Sequence, residues 1–117
     1  MAVNIFRGES DEGIDRLVDA FEKYGRDHPS AEVDLYRYGP VSVHVRIVDP
    51  EFARHDLAER SRIVWKYLDE VPEDDVGDIS QFIMLTPEER EKSFANMIFE
   101  DPTPSELSPR VPNTPSR

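Results

Sequence analysis

The sequence predicts one small α+β domain over residues 1–100, with the element order α-β-β-α-β-α. It is expected to form a mixed three-stranded sheet with its helices packed on one face. Two observations predict this class. Apolar residues recur at helical spacing in some segments and alternate with polar residues in others, and turn residues separate these segments. A chain of 117 residues, 38% of them hydrophobic, is long enough for a single core.

The first helix is predicted from residue 10 to about residue 26. Ser10 is the expected N-cap, and acidic residues follow it at the positive end of the helix dipole. One apolar stripe lies at i, i+3, i+4 and i+7 and consists of Ile14, Leu17, Val18 and Phe21. Residues 3–6, ahead of this helix, form either a short edge strand or an ordered arm.

Two strands follow, over residues 33–38 and 41–48, and Gly39-Pro40 supplies the turn between them. In the second strand every other residue is aliphatic: Val41, Val43, Val45 and Ile47. This period of two indicates a sheet with one buried face. The pair is a predicted hairpin that ends at Asp49-Pro50.

Helical spacing returns at residues 57–68. The expected buried set is Leu57, Ile63, Val64, Tyr67 and Leu68. Residues 79–85 form an apolar run long enough for a covered strand. Thr86-Pro87-Glu88-Glu89 then has the cap, the first-position proline and the third-position glutamate of a helix N-terminus, and this helix is predicted to run to about residue 96.

Residues 101–117 are predicted to be a disordered proline-rich tail. Five of the ten prolines lie there, without any aromatic residue, so the segment buries too little surface to offset its ordering entropy. Ser108-Pro109 and Thr114-Pro115 raise the alternative of phosphorylation or proline recognition. A passive tail is the favoured interpretation.

Composition restricts the function classes. Because the chain has no cysteine, disulfides, thiolate zinc sites, cysteine nucleophiles and iron–sulfur ligation by this chain alone are excluded. The net charge of −11 makes nucleic-acid binding unfavourable, since that binding depends on Lys and Arg contacts to phosphate. With neither a signal-peptide pattern nor a long apolar run, we expect a soluble cytoplasmic protein without a membrane partner.

Three motifs carry a family resemblance. They are Asp49-Pro50-Glu51-Phe52 at the hairpin end, the basic stretch Arg60-Ser61-Arg62 in the next helix, and the strand 79–85 that runs into Thr86-Pro87-Glu88-Glu89. Together with the element order, they resemble the BolA-like family, a relative of the second class of KH domains. The resemblance covers about residues 14–91 and implies the same scaffold.

Two departures separate the chain from that family. Ser61 stands where BolA proteins have a histidine between basic residues, and Asp78 stands at the position of a second histidine, just before the last strand. In the family the second histidine is implicated in an iron–sulfur cluster shared with monothiol glutaredoxins. Because serine and aspartate are poor ligands for a soft cluster, the resemblance implies the scaffold without the cluster, and we expect no cofactor.

The residues give little support for catalysis, metal binding or a KH-type nucleic-acid clamp. His28, His44 and His55 lie in separate segments, without the i, i+3 or i+4 pairing of helix-borne metal sites. The acidic run of residues 69–78 lacks the spacing of a calcium loop, and the Gly-x-x-Gly clamp of KH domains is missing. We therefore expect neither catalytic nor metal-binding residues.

Aromatic side chains supply the candidate partner surface, which consists of Tyr36, Tyr38, His44 and Trp65, framed by acids. Tyr36, Tyr38 and His44 share one hairpin face and form a binding patch if no helix covers it. Trp65 either caps the core edge or anchors a partner. We therefore expect a non-catalytic protein-binding or adaptor module, monomeric or weakly dimeric. The alternatives are a nucleic-acid or ribosome-associated KH-like protein and a small carboxylate-based enzyme.

Overall fold

The computed structural model describes residues 2–102, and over these residues the chain forms four strands and five α-helices. In chain order these are β1 (Ala2–Ile5), α1 (Glu12–Asp27), β2 (Glu32–Gly39), β3 (Ser42–Val48), α2 (Leu57–Trp65), α3 (Glu73–Gly77), β4 (Ile79–Leu85), α4 (Pro87–Lys92) and α5 (Phe94–Glu100). Short 3₁₀ turns at Pro50–Arg54 and Lys66–Leu68 lie on either side of α2. The α+β class is confirmed.

The four strands form one mixed sheet in the order β1-β2-β3-β4. β2 and β3 pair antiparallel as the predicted hairpin, whereas β1 runs parallel to β2 and β4 runs parallel to β3. The sheet thus has four strands where three were predicted. The extra one is the segment at residues 2–5, which pairs Val3 with Val33 and so resolves the choice between strand and arm in favour of the strand.

Helix α1 is capped by Asp11 and not by Ser10, so the predicted cap was wrong by one residue. The Asp11 backbone is extended, and its carboxylate accepts a hydrogen bond from the Ile14 N–H at 2.9 Å. The Ser10 hydroxyl bonds instead to the Asp15 carboxylate. The predicted stripe is correct, since Ile14, Leu17 and Phe21 are fully buried and Val18 packs against them.

The core lies between the sheet and helices α1 and α2. Its sheet residues are Val33, Leu35, Val43, Val45 and Ile47, and Phe52, Val64 and Leu68 close it from the other side. Of the set predicted to be buried on the second helix, Ile63 and Tyr67 also pack against this core. Leu57 does not, because it is the first residue after the Asp56 cap and its side chain is 71% exposed at the rim.

The second face of the sheet is covered by α5, so helices pack on both faces and not on one. The helix that begins at Pro87 ends at Lys92, short of the predicted end at residue 96. The Ser93 hydroxyl then caps a new helix by accepting from the Asn96 N–H at 3.1 Å. Because Phe99 on this helix is fully buried, strand β3 is buried on both faces.

The predicted proline-rich tail lies outside the described residues from residue 103 onward, together with its Ser-Pro and Thr-Pro dipeptides. Over residues 2–102, none of the helices combines the length and the apolar character that a membrane span requires.

Candidate protein-binding edge of the sheet

The four aromatic residues of the predicted partner surface do not form one surface. Tyr36 is 1% exposed and His44 is also buried, because α5 covers their side of the hairpin. Tyr38, 52% exposed, stacks on the His44 ring at the rim of this covered face. Trp65 is 37% exposed and packs elsewhere, with its ring 5.4 Å from that of Phe82 in β4. The condition for a patch at Tyr36 and His44 is therefore not met.

Tyr36 and His44 hold α5 onto the sheet. The Tyr36 hydroxyl donates to the Phe99 carbonyl oxygen at 2.6 Å and lies 2.8 Å from His44 Nδ1. Because its one proton goes to Phe99, the hydroxyl oxygen accepts from an Nδ1–H of the imidazole. Burial raises the pKa of Tyr36 to about 12, and burial, followed by the charge of Arg7, lowers the pKa of His44. This geometry is that of a structural contact.

Arg46 completes the contact beneath α5. Its guanidinium donates to the Asp34 carboxylate at 2.8 Å, to the Asn96 side-chain oxygen at 2.8 Å and to the Glu100 carboxylate at 2.7 Å. The buried charge is thus paired within the chain. These groups hold the helix and do not offer a site to a ligand.

A second polar cluster joins the end of α1 to the segment after β3. The Tyr24 hydroxyl donates to the buried Asp49 carboxylate at 2.8 Å, and the His28 ring stacks on Tyr24, with Nδ1 3.5 Å from Glu51. Burial and the Asp49 carboxylate raise the pKa of Tyr24. In the part of the chain that the structure describes, no three His, Asp or Glu residues are arranged to hold a metal ion.

Asp78, at the position of the second family histidine, belongs to an ion-pair network. Arg37 lies between the Asp78 and Asp11 carboxylates, at 3.0 Å and 2.9 Å. Its hydrogen bond holds the pKa of Asp11 at about 2. Arg16 forms a similar pair with Asp75. These contacts tie α1, β2 and α3 together, which explains a carboxylate at position 78.

The other motif residues build the junction of α2 with α4. Arg60 is buried above the Phe52 ring and donates to the carbonyl oxygens of Phe52, His55 and Met84. It also pairs with Glu89 at 2.7 Å, and this hydrogen bond lowers the pKa of Glu89.

Local capping explains the remaining motif positions. Thr86 caps α4, of which Pro87 is the first residue, and Ser61 lies half-buried within α2. The Glu59 carboxylate accepts from the Asp56 N–H as part of a capping box. Glu59 thus serves in the cap of its own helix.

The outer edge of β4 carries free backbone groups. The Leu85 carbonyl accepts from the Asp49 N–H, so Leu85 faces β3. Since successive strand residues point their backbone groups to opposite sides, Phe82 and Met84 face outward. Arg60 donates to the Met84 carbonyl at 3.1 Å. The Phe82 N–H and C=O and the Met84 N–H have no hydrogen-bond partner within residues 2–102.

From Phe82 to Leu85 the side chains along this edge are apolar and half-buried. Strand β4, Ile79–Leu85, contains no charged residue, glycine or proline, although a bulge beside Val43 interrupts its first part. An open cavity of about 360 Å³ runs along it, lined by Leu57, Phe82, Ile83, Met84, Leu85 and Ala95. Natural edges are usually protected by charge, proline or cover, and here the protection is limited to the bulge and Arg60.

Sequence reasoning predicted a covered strand at residues 79–85 and missed this edge. The uncharged run is the signal that could have found it, together with the exposed Leu57 at the rim. Neither a protein-family model nor any curated protein matches this chain.

Proposed function

We propose that this chain is a non-catalytic protein-binding module, on a scaffold that resembles the BolA-like family, and that it binds an extended segment of another protein along β4. The observation that carries the proposal is the outward-facing set of backbone groups at Phe82 and Met84, on a strand without charge. We place the protein in the cytoplasm because the chain has no cysteine.

An added strand satisfies these groups. In strand addition, main-chain hydrogen bonds supply affinity, and side chains that alternate between the two faces supply specificity. On one face the added strand meets Leu57 and Met84, and on the other it meets Ile83 and Ala95. Burial of this apolar rim should contribute about 25 cal/mol of favourable binding free energy for each Å² of apolar surface removed from water.

Charge favours a different protein over a second copy of this chain. The net charge is −11, so two copies repel each other, whereas a segment rich in Lys or Arg is attracted. The unpaired acids next to the edge act in the same direction. Asp69 and Glu73 line a cavity beside Trp65 at the start of β4. The partner we propose is therefore an extended segment with apolar residues and positive charge.

The test uses a defined probe. A library of random twelve-residue peptides displayed on phage is selected against the immobilised full chain, and the most enriched peptide is synthesised. Its binding is followed by the fluorescence of Trp65, the one tryptophan of the chain. Ile83→Lys places a charge on the β4 edge, and Ile5→Lys makes the same change on β1, at the opposite edge of the sheet.

We expect Ile83→Lys to weaken peptide binding at least about tenfold and Ile5→Lys to change it less than about twofold. Bound peptide should also slow amide hydrogen exchange at Phe82 and Met84. Equal binding by both variants, or unchanged exchange at these two amides, contradicts the proposal. A concentration-dependent dimer that Ile83→Lys dissociates would overturn the choice of partner in favour of a second copy.

A further inference from the structure

A cavity lies at the start of β4, next to the proposed docking edge. Its volume is about 380 Å³, and it is lined by Trp65, Leu68, Asp69, Val71, Glu73, Val76 and Gly77. One wall is the half-exposed indole of Trp65, and two carboxylates stand beside it. The cavity therefore combines an aromatic face with negative charge.

Neither carboxylate is neutralised by the chain itself. Within residues 2–102, Asp69 and Glu73 take part in no ion pair or side-chain hydrogen bond, whereas Asp75 on the same short helix is paired with Arg16. Both acids are exposed to solvent. A cation placed between them and the indole gains from the carboxylates and from the ring at once.

The cavity is linked to the edge strand through the Trp65 ring that lines it. The Trp65 ring packs against Phe82, with 5.4 Å between centroids, and Phe82 is the residue whose N–H and C=O both face outward without a partner. Since strand residues advance about 3.3 Å each, a side chain within two residues of the position opposite Phe82 reaches this cavity.

We propose that this cavity receives an arginine or lysine side chain of the docked segment, so that one cation fixes the register and direction of the added strand. The inference rests on the proposed function and names the chemistry of the partner. The other end of the edge differs in charge, because Arg60 and Lys92 offset Asp56 and Glu89 around the cavity there. The basic residue is therefore directed to the Trp65 end.

The experiment combines changes in the protein and in the peptide. In the selected peptide, each Arg is replaced in turn by citrulline, which keeps the shape and removes the charge. In the protein, Asp69→Asn with Glu73→Gln removes both carboxylates of the cavity. The matched control, Glu70→Gln with Asp74→Asn, removes two neighbouring acids that do not line this cavity.

We expect one citrulline position and the Asp69/Glu73 double variant each to raise the peptide Kd about fivefold to tenfold. Combined, they should raise it no further than either alone, because both remove the same contact. The control double variant should change the Kd less than about twofold. Trp65→Leu removes the fluorescent residue, so its binding is measured by calorimetry, and it should weaken binding of the Arg peptide more than binding of its citrulline form.

The two proposals fail separately. If Ile83→Lys abolishes binding while the cavity variant and the citrulline peptides bind like the originals, the cation pocket is wrong and the docking edge stands. If the selected peptides carry no Arg or Lys, the pocket is likewise overturned. If Ile83→Lys binds normally, the docking edge itself is refuted.

Discussion

The Tyr36 hydroxyl donates to the backbone carbonyl of Phe99 at 2.6 Å, and this contact joins two residues 63 positions apart in the sequence. It fastens α5 across the second face of the sheet. Since the first face is covered by α1 and α2, both faces of the central strands are occupied. Any partner of this domain must therefore approach an edge of the sheet or the outer surface of a helix.

Tyr36→Phe tests the fastening of α5. The substitution removes the hydroxyl and leaves the Phe99 carbonyl and His44 Nδ1 buried without this partner. We expect the free energy of unfolding to fall by about 1–3 kcal/mol, measured by urea denaturation. Tyr38→Phe is the control, because that ring is half exposed, and it should change stability by less than about 0.5 kcal/mol. Equal effects of the two variants would contradict the assigned role.

Arg46→Met tests the buried charge beneath α5. It leaves the Asp34 carboxylate buried without its cation, which should cost about 3–5 kcal/mol in urea denaturation. Adding Asp34→Leu should restore at least half of that loss, because the orphaned charge is then gone. Arg62→Met, at an exposed position of α2, should change stability by less than about 0.5 kcal/mol. A double variant no more stable than Arg46→Met would refute the pairing.

Acidification should weaken the fold through His44. Burial, and then the charge of Arg7, lower the pKa of His44 in the folded protein, while the ordinary value is 6.5. Below about pH 6.5 the unfolded chain therefore binds more protons than the folded one, and the free energy of unfolding decreases as the pH falls from 7 toward the folded pKa. Above pH 7 this contribution is fully present.

The measurement is urea denaturation at pH 7.5, 6.5 and 5.5. His44→Asn keeps a donor toward Tyr36 and removes the titrating group, so its stability should decline less over this range. The carboxylates whose pKa is lowered by Arg, such as Asp11 and Glu89, act below this range, because they lose their charge only at lower pH. An identical pH slope in the variant would rule out His44 as the source.

The elements that periodicity predicts are those whose burial is decided locally. In α1 the stripe from Ile14 to Phe21 lies on one helix face, so spacing alone identifies its buried side. In β3 the alternation of Val43, Val45 and Ile47 does the same for one sheet face. Both predictions needed no knowledge of the neighbouring elements.

Features decided by distant pairing could not be predicted in this way. By its alternation with Val45 and Ile47, Arg46 is predicted on the solvent-facing side of β3. In the structure α5 covers that side and brings Asn96 and Glu100 against the guanidinium. The helix break at Ser93 has a local signal, because serine is a preferred N-cap, but the polar residues before it and the apolar residues after it do not mark a break by their spacing. Whether β4 is covered or at an edge depends on the order of strands, which its own apolar residues do not encode.

Substitution of the exposed Leu57 tests the binding edge without disturbing the core. Its side chain is 71% exposed at the rim of the β4 cavity, whereas Leu68, predicted to be buried with it, is 3% exposed. Leu57→Ala should therefore change the free energy of unfolding by less than about 0.5 kcal/mol, and Leu68→Ala should cost about 2–5 kcal/mol. Peptide binding should show the reverse order. Leu57→Ala is expected to weaken binding of the selected peptide about fivefold or more, since that contact is buried only in the complex. Leu68→Ala, measured under conditions in which the variant is folded, should bind the peptide nearly as tightly as the original chain. If Leu57→Ala binds the peptide unchanged, the apolar rim is not part of the docking edge.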